Sequence, residues 1–77
     1  MTERSLFDRV VAASGLTPVV APFTIRRLLL RADVVPPEAL TVPELRRALP
    51  ELLRELGAYL GPAEYGAAAA ALEALVS

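Results

Sequence analysis

Apolar residues recur along this chain at helical spacing, in runs separated by proline and glycine, and nowhere do apolar and polar residues alternate long enough to predict a strand. The pattern predicts an all-α fold with helices over about 5–14, 22–32, 42–60 and 62–76 and a short turn over about 38–40. Joined by short links, these make a compact four- to five-helix bundle and a single small domain over residues 1–77.

In the first helix Leu6, Phe7, Val10, Val11 and Ala13 form the apolar side and Arg4, Asp8 and Arg9 the polar side. Thr2 or Ser5 can cap it. Gly15 should end it in a left-handed conformation, with Leu16 folding back as the hydrophobic contact of a Schellman motif. Thr17-Pro18 starts one turn, and Pro22, which lacks an amide to bond back with, starts a fresh helix. Pro36-Pro37 stops that second helix and pushes Val35 towards an extended conformation.

Thr41-Val42-Pro43-Glu44 has the form of a capping box, in which Thr41 accepts from the Glu44 amide and the Glu44 carboxylate reaches back to the cap amide. The helix it starts carries Leu45, Ala48, Leu49, Leu52, Leu53, Leu56, Tyr59 and Leu60 on one wide face. Arg46, Arg47, Glu51 and Arg54 lie opposite. Pro50 projects on the solvent side, where a kink is easier to absorb than a break. Gly61-Pro62 then separates the third helix from the last, with Glu64 complementing the dipole of its first turn.

Composition removes whole classes of function. The 77 residues include no Cys, His, Trp, Lys, Asn or Gln. There is accordingly no disulfide framework, thiol nucleophile, imidazole base or ordinary zinc site, and no lysine of a phosphate loop. All eight basic residues are Arg, a skew that a GC-rich genome explains as readily as any function. With nine acidic residues the net charge is −1, far from the basic excess on which general nucleic-acid binding relies. No signal-peptide pattern is present, and no apolar run approaches the roughly 18–20 residues that span a bilayer, so the expected compartment is the cytoplasm.

Two helices carry more apolar surface than one core face requires. On the second, Ile25, Leu28, Leu29 and Ala32 share one side, while Phe23 and Leu30 lie nearly opposite among Arg26, Arg27 and Arg31. Either this helix is central and covered on both sides, or Phe23 and Leu30 form an anchor rimmed by Arg, a composition that protein interfaces favour. On the last helix, Tyr65, Ala68, Ala69, Leu72, Leu75 and Val76 make the core face and Gly66, Ala70 and Ala74 line the back at four-residue spacing. That back face suits a close two-fold contact, although alanine is also simply the best helix former.

The expected function is therefore a non-enzymatic protein-interaction or self-association module. Its partners would be a second copy, as a homodimer, or another protein, with no cofactor, metal, membrane or small-molecule substrate. The docking residues would be Phe23, Arg26, Arg27, Leu30 and Arg31, then Gly66, Ala70 and Ala74. The alternative is a small helix-turn-helix-like regulator with the Arg-rich middle helices on DNA. Against it, Glu44 and Glu51 stand three or four residues from Arg47 or Arg54, close enough to pair with them, and Glu55 adds a further acid beside Arg54. Catalysis would need Glu64 to act with Tyr59 or Tyr65, groups that ordinarily serve as caps and solvated surface, and neither Ser14 nor Ser77 stands in an activating motif.

Overall fold

Each helix of the computed structural model, which describes residues 4–77, starts and stops for a local reason. Ser5 is extended and its side chain accepts from the Asp8 amide at 3.1 Å, so α1 (Leu6–Ala13) starts with its first orphan donor satisfied. Thr2, the other candidate cap, lies outside the described residues. At the far end Gly15 is left-handed, with φ of +78°, but the expected Schellman bonds do not form. The Ser14 hydroxyl takes their place, donating to the Val11 carbonyl at 2.8 Å and accepting from the Leu16 amide at 3.3 Å. Ser14 is fully buried, and the two bonds are what make its burial tolerable.

One turn follows, closed by the Val20 and Ala21 amides on the Thr17 carbonyl, and α2 runs over Ala21–Arg31 with Pro22 in its first turn. This helix ends three residues before Val34 in the Schellman geometry expected for α1. Asp33 takes φ of +65°, its amide donates to Leu30, and the Val34 amide reaches the Leu29 carbonyl at 3.0 Å. Val34 then folds fully into the core, as the hydrophobic contact of that motif should. The expected turn falls one residue earlier than the sequence suggested, as a 3-10 turn over Pro37–Ala39, and it turns Leu40 inwards.

The Thr41–Glu44 capping box is complete, and α3 (Val42–Leu56) passes unbroken through the exposed Pro50. It stops about four residues short of the expected end. From Gly57 to Leu60 the chain makes turns, with the Ala58 and Tyr59 amides bonding three residues back, and a Cβ added at Gly57 would lie 3.6 Å from the Tyr65 ring. Glycine is a poor helix former, and with Gly61-Pro62 so near the chain tightens to reverse direction. Tyr59 consequently leaves the apolar face assigned to it. The last helix, α4, covers Pro62–Val76 with Pro62 as its first residue.

Among the described residues four α-helices form a closed ring, with α1 against α2 and α4, α3 against α2 and α4, and the 3-10 turn filling in against α1 and α2. Val10, Ile25, Leu29, Leu45, Leu52, Leu56 and Leu72 meet in its middle, each all but inaccessible to solvent. The Cα radius of gyration, 11.3 Å, matches the value of about 11.5 Å expected for a compact chain of this length. Among the described residues no buried side-chain nitrogen or oxygen lacks a partner.

Two cap substitutions should move stability in opposite directions. Ser14→Ala leaves the Leu16 amide without its acceptor in a buried setting and should cost about 1–3 kcal/mol. Asp33→Gly relieves a left-handed side chain and should add up to about 1 kcal/mol. Urea unfolding midpoints check both; a midpoint for Ser14→Ala at or above wild type would contradict the role given to that hydroxyl.

Candidate protein-docking surface

The inner arc of α2 is set by Ala21, Ile25, Leu28 and Leu29, all buried. At about 100° per residue, the residues that must then face away from the ring are Val20, Phe23, Arg27 and Leu30. They do. Phe23 is 75% exposed, Val20 46% and Leu30 37%, and neighbouring Val19 is 81% exposed. Neither α1 nor another helix covers this side, so α2 is not the doubly covered central helix that one reading of the sequence allowed.

The flanks of the ridge are held by polar contacts between residues distant in sequence. On one side the Arg26 Nε donates to the Glu38 Oε2 at 2.6 Å, joining α2 to the 3-10 turn. On the other side Arg31 lies 3.9 Å from the Glu55 carboxylate near the end of α3, and from between the two flanks the Arg27 Nη2 donates to the Tyr59 hydroxyl at 3.1 Å, in the turn after α3. Asp33, the acid nearest in sequence, makes none of these ion pairs. The half-exposed Tyr59 ring thereby extends the apolar ridge sideways. The guanidinium of Arg26, by donating a hydrogen bond, holds the Glu38 carboxyl below the usual carboxylate range, with help from the Glu38 backbone amide.

The second group of candidate residues is laid out differently. Gly66, Ala70 and Ala74 all lie on the exposed side of α4, and a Cβ added at Gly66 would meet nothing within 4 Å. The structure keeps this stripe apart from the Phe23 ridge, on a helix that packs chiefly against α3 and α1. The arginines of α3 are also occupied in ways their spacing did not foretell. Of the local pairs expected there, only Glu51 with Arg54 forms, at 2.8 Å. Glu44 serves the capping box, and Arg46 donates to the Val76 carbonyl at 2.8 Å, tying α3 to the end of α4.

A third feature gave no signal in the sequence. An open groove of about 440 Å³ lies between α1 and the turn before α2, floored by Val11, Ala12, Leu16, Pro18 and Ala21 with Arg4 and Asp8 at its polar edge. It forms because the turn at 18–20 holds the chain away from the outer side of α1, an arrangement that periodicity alone does not specify. Tyr59, likewise, carried no sign of its surface role until α3 was seen to end at Leu56.

For chemistry the side chains offer little company to one another. Among the described residues no group of three carboxylate, Cys or His side chains could hold a metal ion, and no helix is long and apolar enough to cross a membrane. Glu64 lies in the first turn of α4, while the Tyr59 hydroxyl is engaged by Arg27. Fold and surface together define a small all-helical globule with an apolar ridge outside its core. In comparisons with known proteins, no family model, curated protein or solved structure matches the chain.

The Arg26–Glu38 contact makes a pH prediction. Since the folded-state pKa of Glu38 is lowered, its contribution to stability is present above the unfolded-state value and fades as pH falls through the folded one. The carboxyl carbon of Glu38, followed by NMR, should titrate below the ordinary glutamate range, and Arg26→Gln should bring the midpoint back up. An unchanged midpoint in the variant would assign the depression to something other than Arg26.

Proposed function

We propose that this chain is a protein-association module that carries out no chemistry of its own, and that the outer face of α2 is its docking surface. The observation that carries this reading is the placement of Val20, Phe23 and Leu30, together in the open on the helix whose other face is buried in the core. Scattered exposed apolar residues are ordinary, but three on one helix face, with an aromatic among them and arginines on both sides, have the composition of interface anchors.

Rigidity supports the same reading. With Ile25, Leu28 and Leu29 locked into the core, α2 presents its outer residues in a fixed geometry, so little freedom is lost when a partner covers them. The alanine stripe of α4 is a weaker surface, because Ala70, Ala74 and Gly66 offer few apolar atoms to bury. Self-association and binding of another protein are both forms of this function.

The test uses the wild-type chain beside Phe23→Asp and Leu30→Asp, either of which should leave the thermal midpoint within a few degrees of wild type because both positions lie outside the core. Sedimentation across a concentration series reads self-association, and affinity capture from the cells that make the chain reads partners. Both substitutions should abolish whichever association wild type shows. A wild-type chain that stays monomeric and retains no partner, or an association indifferent to both substitutions, would overturn the reading. Duplex DNA at low salt is the remaining probe; tight binding that weakens steeply with salt would replace this function with nucleic-acid binding.

A further inference from the structure

The charges along the α2 ridge distinguish between possible occupants. Arg27 sits between Phe23 and Leu30 on the outward face, and its protein partner is the neutral Tyr59 hydroxyl, which takes one of the several N–H donors of the guanidinium. Among the described residues no carboxylate forms an ion pair with it, whereas Arg26 and Arg31, on either side, face Glu38 and Glu55. The ridge therefore has an arginine near its middle that the folded chain leaves without an opposite charge.

A second copy is a poor match for such a surface. In a two-fold contact the same patch meets itself, which brings six arginines into one interface against four carboxylates, of which Glu38 is held by Arg26 at 2.6 Å and Glu55 lies 3.9 Å from Arg31. Covering Arg27 with apolar surface alone would strip water from a cation and give nothing in return. A carboxylate placed opposite it would gain a charge-assisted bond, bidentate if the geometry allows, in a setting partly dried by Phe23 and Leu30.

We infer that the α2 ridge docks a different protein, one that offers an apolar cleft for Phe23 and Leu30 with an Asp or Glu carboxylate set to meet Arg27. This rests on the association reading above and adds the chemistry of the partner. The mode is that of an amphipathic helix laid into a groove, with Val20, Phe23, Arg27 and Leu30 as its successive contacts along three turns of helix. Phe23 supplies the anchor, and Arg27 decides which grooves are accepted.

A photo-crosslinking amino acid, p-benzoylphenylalanine, in place of Phe23 tests this in the cells that make the chain, with the same group in place of Ala74 as the comparison on α4. Mass spectrometry of the product should identify a peptide of another protein that carries Asp or Glu within one helical turn of the crosslinked residue. Adding Arg27→Glu should cut the yield by about tenfold or more, Arg27→Gln should cut it less, and replacing the partner's carboxylate with Lys should restore capture by the Arg27→Glu chain. A peptide of this same chain crosslinked from position 23, or a foreign segment whose capture ignores Arg27→Glu, would overturn the inference while leaving an association module standing. Crosslinking from Ala74 alone would move the docking surface to α4 and overturn the inference as well. No crosslink from either position, together with a monomer in sedimentation, would overturn both.

Discussion

The burial of one arc of α2 constrains everything else in this molecule. Ile25 and Leu29 lose all contact with water against Val10 of α1 and Leu45, Leu52 and Leu56 of α3, and Leu72 of α4 closes the ring. In a chain of 77 residues each helix can turn only one arc inwards, because there is no second layer to cover the other. Once Ile25 and Leu29 point to the centre, the helical repeat sends Phe23, Arg27 and Leu30 outwards. The exposed ridge is thus a geometric consequence of the core, and among the described residues no element is left over with which to hide it.

The polar contacts around the ridge have a different role. Arg26 with Glu38, Arg31 with Glu55 and Arg46 with the Val76 carbonyl each join elements far apart in sequence, yet all lie in solvent, where a pair contributes at most about 1 kcal/mol. They do little for the total stability. What they settle is direction: the guanidinium groups of α2 are drawn to its sides, so the apolar crest between them stays open. Arg27 is the exception, held by a neutral hydroxyl and facing out with the crest.

The parts of this fold that were legible in the sequence are those in which a residue acts on its own neighbours. The Thr41–Glu44 box, the proline starts of α2 and α4, the buried side of α3 and the double face of α2 all follow from spacing and local bonding. The illegible parts involve competition between local rules. Gly15 promised a Schellman motif, but Ser14, buried by the packing of α1, offered a hydroxyl that satisfied both ends of the break. Asp33 accepted the left-handed conformation that glycine would take more easily, because Val34 gains full burial only if the chain turns there. Apolar periodicity continued through Tyr59 and Leu60, but Gly57 and the coming Gly61-Pro62 ended α3 first. Of the candidate surface, the residues on α2 could be named in advance; the ties to Glu38, Glu55 and Tyr59 could not, since they depend on which helices become neighbours.

Folding alone does not account for Phe23. Three-quarters of it stands in water, it belongs to no part of the core, and a polar residue there would serve the helix as well. Full burial of such a side chain is worth about 1.5–3 kcal/mol, and the free chain realises only a small part of that. The remainder is available to whatever covers it. Since α2 is fixed from behind by Ile25, Leu28 and Leu29, covering Phe23 orders little beyond its own two torsions, and most of the gain from burial survives as affinity. The same helix thus uses its inner residues to hold the fold together and leaves its outer ones preorganised for contact.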